Sequence, residues 1–329
     1  MNPAARLSRL VGAAALTLGF ATAAQAAEWR GWNIHPENYP VSIGMEAFAA
    51  EVADKTGGEI TLKVYHNGVL GSQPDAIEQV RLGAIDWAVF NAGPLGPVAP
   101  EVNVLSLPFI FSSVDAMHKV MDGPVGEEIG DGLRKVGLEP LGWFDSGARS
   151  FYHTGKLIKT PADMQGQKVR VMENDLYVGM ISNLGGNATP LPYSDVFQSL
   201  QTGVIDAAEN NYPSFESSGH FEVAKFYSNS EHLILPECLC INKALYDGLS
   251  EEQQAVLKEA GKNATALQRQ SWAEREKASK EKVLASGVEI YEIEDKAPFQ
   301  AAMQPIYEAF LKDSPELEGL IQRIQDAQK

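Results

Sequence analysis

The sequence predicts an α/β fold with two lobes that face one cleft, and two observations lead to this class. Short apolar runs typical of strands alternate with amphipathic helices along the chain. One helix–strand unit also occurs twice, at residues 78–91 and 198–211, with Gly, Ile, Asp, Ala and a final Asn in the same places. The alternative is that the shared Gly-x-Ile-Asp pattern is common loop chemistry between helices and strands, and that the repeat indicates no second lobe.

The first half of the chain follows this alternation closely. Apolar residues from Met45 to Val52 recur at helical spacing, and Gly57-Gly58 ends that helix. A strand is predicted at 60–65, a second helix at 75–82 that ends at Gly83, and an apolar strand at 84–90. Helices that lead through a glycine into a buried strand are typical of α/β proteins.

Both copies of the repeated unit end in amide side chains. Asn91 closes the first strand, and Asn210 and Asn211 close the second. Open α/β sheets bind ligands at the carboxyl ends of their strands. The repeat therefore predicts two polar strand ends that face one ligand.

Helix start signals mark the second half of the chain. Thr160-Pro161 is predicted to open one helix, and Ser194 to cap the helix that carries Val196 and Leu200. Ser250 and Gln253 form a capping box before a long helix at 251–284, interrupted only at Gly261. A helix of over ~30 residues suits a bridge between two lobes better than a place inside one.

The first 26 residues have the pattern of a secretory signal peptide. Arg6 and Arg9 precede an apolar stretch, and Ala24-Gln25-Ala26 is a small-x-small cleavage site. The alternative is an uncleaved anchor, but the stretch is shorter than the ~20 residues that a membrane span needs. We therefore expect an exported protein.

Charge excludes some classes of partner. The formal net charge is −16, and loss of the two leader arginines takes it to −18. Binding to nucleic acid or to an anionic membrane surface depends on basic excess, so neither partner is expected.

No catalytic or metal-binding motif stands out. The chain contains no G-x-S-x-G, H-E-x-x-H, P-loop or G-x-G-x-x-G pattern, and its six histidines are scattered. Cys238 and Cys240 share one face of a strand and are interpreted as buried core thiols, with a redox pair as the alternative. We expect no cofactor and no metal.

Two arginines lie among residues that are expected to be buried. They are Arg149, in the segment Asp145 to Tyr152, and Arg170, in Gln167-Lys-Val-Arg-Val-Met172. A buried guanidinium is costly unless a carboxylate meets it, and its planar fork suits a bidentate carboxylate. That carboxylate is either internal or part of a ligand.

Six segments in order carry a resemblance to one family: Gly68-Val-Leu-Gly71, Glu78-Gln-Val-x-x-Gly-x-x-Asp86, Leu107-Pro-Phe109, Gly147-x-Arg149, Gly166-x-Lys-Val-Arg-Val171 and Gln201-x-Gly-x-x-Asp-x-x-Glu-Asn210. From about residue 28 onward the chain resembles the DctP-type solute receptors of tripartite ATP-independent periplasmic (TRAP) transporters. The resemblance implies a periplasmic receptor that catalyses no reaction and delivers its ligand to a membrane permease.

The resemblance also implies the arrangement of the lobes. It predicts a type II-like periplasmic-binding-protein fold with the ligand cleft between the lobes and a long bridging helix. Lobe I is expected at 27–150 plus about 238–275, and lobe II at 151–237 plus about 276–329. We expect a monomer.

By position in the family motifs, Arg170 is implied to grip a ligand carboxylate, with Arg149 as a second cation and Asn210 as an amide beside it. The other residues implied to line the cleft are Gln73, Asn91, Glu173, Tyr193, Asn211 and His35. Alternatives stay open for three of these: Tyr193 as a core residue, His35 as a loop residue and Glu173 as a solvated strand end.

The segment 210–225, with Ser230 to His232 and Pro236-Glu237, looks most like the receptors for sugar acids, particularly hexuronates such as D-glucuronate or D-galacturonate. A uronate needs one carboxylate clamp and several partners for its hydroxyls. Where the family often has an acidic residue, this chain has Gln73, which leaves the number of hydroxyls recognised there open. The alternatives are a receptor for sialic acid, a dicarboxylate or another oxoacid, and a secreted enzyme that acts on acidic saccharides.

Overall fold

The computed structural model describes residues 27–329, so the predicted signal peptide lies outside the described residues. The strands are β1 (Ala27–Trp32), β2 (Ile60–Tyr65), β3 (Trp87–Asn91), β4 (Leu138–His153), β5 (Lys168–Val171), β6 (Asn187–Pro190), β7 (Ala207–Asn210), β8 (Phe226–Asn242) and β9 (Glu289–Glu292). The helices are α1 (Pro40–Lys55), α2 (Gln73–Arg81), α3 (Ala92–Leu95), α4 (Pro100–Asn103), α5 (Val114–Met121), α6 (Pro124–Lys135), α7 (Asp175–Asn183), α8 (Val196–Thr202), α9 (Tyr212–Ser217), α10 (His220–Val223), α11 (Lys243–Asp247), α12 (Glu251–Ala285), α13 (Ala297–Asp313) and α14 (Glu318–Ala327).

One mixed sheet runs through the described chain in the order β2-β1-β3-β8-β4-β7-β5-β6, with β9 paired to β8. The pairs β1–β2, β1–β3, β5–β6 and β5–β7 are parallel, whereas β8 is antiparallel to β3 and β4, and β7 is antiparallel to β4. The predicted α/β class is confirmed.

Two long strands connect the two halves of this sheet. One half of β8 pairs with β3 and the first half of β4, and the other half pairs with β9 and the second half of β4. The predicted lobe boundaries at residues 150 and 237 fall inside β4 and β8. The third predicted boundary, at about residue 275, falls inside α12, so any hinge at these positions lies within two continuous strands and one continuous helix.

The repeated helix–strand unit has the same backbone in both copies. Gly83 and Gly203 follow α2 and α8 in the left-handed conformation, with φ of 74° and 73°. The strands β3 and β7 come next, the first starting at Trp87 rather than at residue 84. Asn91 and Asn211 then cap the short helices that follow, each accepting a backbone N–H with its side chain. The repeat therefore reflects two equivalent structural units.

The long bridging helix is confirmed as α12, which spans about 50 Å at the usual rise per residue. The predicted capping box of Ser250 and Gln253 is present at its start. Leu257 and Trp272 pack in one apolar cluster with α1, while Val283 packs in a second cluster with residues of β7 and α9. The helix therefore joins two separate parts of the core.

The predicted interruption at Gly261 is wrong, because α12 continues through it. This glycine allows the helix to approach β4 closely, since a Cβ there would lie 2.3 Å from the backbone oxygen of Leu141. The predicted cap by Ser194 is also wrong. A short 3₁₀ turn at Tyr193–Asp195 precedes α8, and the Ser194 hydroxyl donates to the Asp195 carboxylate instead.

Gly261→Ala is expected to destabilise the protein by about 1–3 kcal/mol, because the added methyl group forces α12 away from β4. The matched control is Gly179→Ala in α7, where a Cβ meets no atom within 4 Å. That change is expected to stabilise by about 0.5–1 kcal/mol through helix propensity. Urea unfolding of the two variants measures both effects, and equal midpoints would contradict the packing explanation.

Cys238 and Cys240 are both buried and free, as predicted for core thiols. Within residues 27–329, no helix combines the length and apolarity needed to cross a bilayer.

Candidate functional site

A cavity of about 230 Å³ lies where several strand ends and loops of the sheet converge. The loop after β1, the start of α2, the ends of β3, β5 and β7, and the middle of β4 and β8 all contribute to its wall. The sequence-predicted residues that line it are His35, Gln73, Asn91, Arg149, Arg170, Glu173, Tyr193 and Asn210. The structure therefore brings most of the predicted site together in one place.

Arg170 is a buried cation that has no ion-pair partner among residues 27–329. Its side chain on β5 donates Nε and Nη2 to the Leu191 carbonyl, at 2.9 and 2.6 Å. Within the described chain no carboxylate forms an ion pair with it, and burial lowers the pKa of its guanidinium while the field of Glu209 raises it. Since only two of its five N–H groups are used, the remaining donors are available at the cavity.

Arg149, by contrast, has an internal partner. Its Nε and Nη2 donate to the two carboxylate oxygens of Glu209 at 2.6 and 2.8 Å, and the pair is almost fully buried. Burial alone would lower the pKa of this guanidinium, but Glu209 raises it above the ordinary value. Of the two alternatives left open by the sequence, the internal partner therefore describes Arg149.

The amide of Asn210 is held by this ion pair. Its Oδ1 accepts Nη1 of Arg149 at 2.7 Å and the backbone N–H of Asn211 at 2.9 Å. This fixes the amide so that Nδ2, which has no partner among the described residues, is the free donor. Arg149 therefore acts on the cavity by orienting Asn210 as well as by lining it.

A second polar cluster occupies the wall formed by β3 and β8. Asn91 donates Nδ2 to Ser146 and to Oε1 of Glu237, both at 3.2 Å, and its backbone N–H donates to Oε1 of Gln73 at 3.3 Å. The Ser146 hydroxyl also donates to Oε1 of Glu237, at 3.0 Å. Burial raises the pKa of Glu237 to about 7 against these hydrogen bonds.

An aromatic wall completes the cavity. The His35 ring stacks on Tyr39 with centroids 3.8 Å apart and meets Tyr193 edge-on at 6.2 Å. Burial, helped by the charge of Arg149, lowers the pKa of His35 to about 3, so the ring is neutral near pH 7. Tyr193 donates its hydroxyl to the Ser214 carbonyl and is half-buried at the cavity rather than in the core.

Two of the predicted site residues differ from the others in their hydrogen bonds or in their position relative to the cavity. Glu173 is half-buried and lines the cavity, but it forms no hydrogen bond with the described residues. Asn211 does not line the cavity, because its side chain caps α9 and donates to the Ser146 carbonyl. Its predicted place in the site is therefore corrected to a supporting one.

Sequence reasoning missed the two carboxylates beside this site. Glu209 directly precedes Asn210, and Glu237 lies opposite Asn91 in the β3–β8 pairing. The position of Glu209 next to a predicted site residue was an available signal. For Glu237 the useful signal was its place in a Pro236-Glu237 segment within the otherwise apolar run from Leu233 to Ile241.

Comparisons with known proteins agree on one family. The model for bacterial extracellular solute-binding proteins, family 7 (DctP), matches residues 33–313. A solute-binding protein of Chromohalobacter salexigens is 58% identical over 313 residues, which cover 95% of this chain and 93% of that protein. The 2,3-diketo-L-gulonate-binding periplasmic protein YiaO of Escherichia coli is 31% identical, with 87% of this chain and 88% of that protein covered.

Solved structures of similar chains superpose closely on this one. A TRAP periplasmic solute binding protein from Sulfitobacter sp. NAS-14.1, with bound beta-D-galacturonate, is 57% identical with a TM-score of 0.90, covering 91% of this chain and 100% of that chain. A second from Chromohalobacter salexigens, with bound D-glucuronate, is 59% identical with a TM-score of 0.90, covering 91% of this chain and 99% of that chain.

Proposed function

The chain belongs to the DctP family of bacterial extracellular solute-binding proteins, and from this premise we propose that it is a periplasmic TRAP receptor for a hexuronate. It captures D-glucuronate, D-galacturonate or a close relative of these acids and delivers it to a membrane permease. It acts as a monomer and catalyses no reaction.

The observation that carries this proposal is the guanidinium of Arg170, which forms no ion pair with any carboxylate of the described part of the chain. A buried charge without a partner is costly, and a carboxylate supplied by the ligand removes that cost while satisfying the planar fork. Near the cavity, Arg149 and Arg170 share the field of Glu209, which already accepts hydrogen bonds from Arg149 on both oxygens. Arg170 therefore remains as the cation with which one ligand carboxylate can pair.

The other groups of the cavity suit the hydroxyls of a sugar. Asn210 offers a free amide donor beside the arginines, and Gln73 offers an amide at the opposite wall. Glu173 and Glu237 add hydroxyl acceptors, and neutral His35 adds a ring nitrogen. Similar chains that are 57% and 59% identical were crystallised with galacturonate and glucuronate bound, which supports the same ligand class here.

The predicted lobes supply a mechanism of capture. We propose that lobe I and lobe II, with the boundaries given above, close around the ligand by bending of β4, β8 and α12. Hinge closure of this kind buries a ligand between two rigid bodies. The closed form is then the one that the permease receives.

Isothermal titration calorimetry of ligand-stripped protein tests the proposed function. D-Glucuronate and D-galacturonate are titrated beside D-glucose and D-galactose, which differ from them in lacking the carboxylate. We expect saturable one-to-one binding of at least one hexuronate and none of the neutral sugars. Binding of the neutral sugars alone, or of sialic acid or a C4-dicarboxylate in place of both hexuronates, would contradict the proposal.

A separate incubation distinguishes the receptor from an enzyme. The protein is mixed with uronides and with free hexuronates, then denatured, and the small molecules are identified by mass spectrometry. The receptor returns every compound intact, whereas a product that accumulates with time would support the enzyme alternative.

A further inference from the structure

Glu237 is a buried carboxyl group in the cavity wall with one oxygen left free. The residue is 5% exposed and lies on β8 opposite Asn91 of β3. Asn91 and Ser146 both donate to Oε1. Oε2 forms no hydrogen bond with the residues that the structure describes, and Glu237 is part of the cavity lining. A polar atom is therefore available to whatever occupies the cavity.

The cavity neutralises only one ligand carboxylate. Arg149 is matched by Glu209, which leaves Arg170 as the cation that a ligand anion meets. Arg170 lies on β5, three strands from β8 in the order of the sheet, so Glu237 belongs to a different wall. A ligand whose carboxylate sits on Arg170 presents its other groups to the rest of this small cavity, including the wall that holds Glu237.

From this arrangement, and resting on the proposed function, we propose that Glu237 determines the charge class of the ligand. It admits sugar acids with a single carboxylate and rejects those with a carboxylate at both ends. A hydroxyl group hydrogen-bonds to the Glu237 carboxyl in either protonation state, whereas a second carboxylate meets a like charge in a site with little water.

The protonation of Glu237 makes this selection depend on pH. Burial raises its pKa to about 7, with Asp145 raising it further and the Asn91 and Ser146 hydrogen bonds and the charge of Arg149 lowering it. Because the neutral form of Glu237 tolerates an anionic ligand better than the ionised form, affinity falls as pH rises through this pKa.

The neighbouring charges do not change the sign of this effect. Two charged residues of β4 lie near Glu237. Arg149 is paired with Glu209, and Oδ2 of Asp145 lies 3.2 Å from Nε2 of His118 on α5. The remaining charged groups that line the cavity are Arg170 and Glu173, while His35 stays neutral over this pH range. Glu237 is therefore the cavity carboxyl whose raised pKa falls between pH 6 and 8.

Glu237→Gln tests the proposal, because the amide keeps the shape and an oxygen acceptor but cannot ionise. D-Galacturonate and galactarate, which has a second carboxylate in place of the carbonyl end, are titrated calorimetrically at pH 6 and pH 8. Glu259→Gln on the exposed face of α12 makes the same charge change away from the cavity and is the matched control.

At pH 8 the wild-type protein and Glu259→Gln should prefer galacturonate strongly. Glu237→Gln should narrow that preference by roughly 30-fold, the size of one like-charge repulsion across a small cavity when the effective dielectric constant is about 20. Wild-type affinity for galacturonate should fall from pH 6 to pH 8, and about 10-fold is the largest fall that one group with a pKa near 7 allows. The affinity of Glu237→Gln for galacturonate should be the same at pH 6 and pH 8.

Each outcome decides the proposal. Unchanged selectivity in a folded Glu237→Gln protein overturns it, and so does a flat pH profile of the wild-type protein, which needs no variant to fold. If the wild-type protein binds neither D-galacturonate nor D-glucuronate, the proposed function itself fails and the inference falls with it. A hexuronate that binds wild-type protein without these two effects removes only the role of Glu237.

Discussion

Replacing Arg170 with alanine is expected to remove most of the affinity for a hexuronate. Truncating one partner of a buried charged pair costs about 2–5 kcal/mol, which corresponds to a loss of roughly 30-fold to several thousand-fold in affinity. The loss is expected to be large because Arg170 is buried and no carboxylate of the described chain is paired with it. Calorimetric titration with the hexuronate that binds the wild-type protein measures it.

Two further variants sharpen this experiment. Arg170→Lys keeps the charge but loses the planar fork and should bind more weakly than the wild-type protein. Arg323→Ala removes an exposed arginine that pairs with Glu128 on the surface, and it should bind normally. Arg170→Ala with wild-type affinity would show that the ligand carboxylate is held elsewhere.

Glu209→Leu is expected to destabilise the ligand-free protein by about 3–5 kcal/mol, because it leaves Arg149 buried and unpaired. Both side chains are nearly inaccessible to water, so solvent cannot replace the lost partner. Urea unfolding followed by circular dichroism measures the change, since the free energy of unfolding is read from the midpoint and slope.

The double variant Arg149→Met with Glu209→Leu separates the cost of a lone charge from the contribution of the pair. Buried ion pairs that are replaced by apolar residues of similar volume often leave stability unchanged or improved. The double variant should therefore be markedly more stable than Glu209→Leu while still binding the ligand poorly, since Asn210 loses the donor that orients it. If Glu209→Leu unfolds at the wild-type midpoint, the ion pair does not have the role assigned to it.

Local signals in the sequence predicted much of the fold. The strand at Ile60–Tyr65, the capping box at Ser250 and the glycines after α2 and α8 all depend on residues close together in the chain. Local reasoning failed at Gly261, where helix propensity indicated a break. A backbone oxygen from β4, more than a hundred residues earlier, explains the glycine instead.

The site was predicted less completely for the same reason. The motifs predict Arg170 and Asn210 as site residues. The neighbouring residues in the sequence do not indicate which arginine has an internal partner, because Arg149 contacts Glu209 across the β4–β7 pairing. The Pro236-Glu237 segment is visible in the sequence, but the place of Glu237 opposite Asn91 depends on the pairing of β8 with β3. Asn211 has the residue type expected of a site, yet the cap of α9 occupies its side chain.

The central claim is that the Arg170 guanidinium forms its ion pair with the carboxylate of the ligand. A crystal structure of the complex with the bound hexuronate tests this claim most directly. We expect both oxygens of the ligand carboxylate near the Arg170 guanidinium, with at least one N–O distance of about 2.7–2.9 Å. Arg149 should remain on Glu209. A ligand carboxylate bound away from Arg170, or an Arg170 side chain paired with a carboxylate of the protein, would contradict the claim.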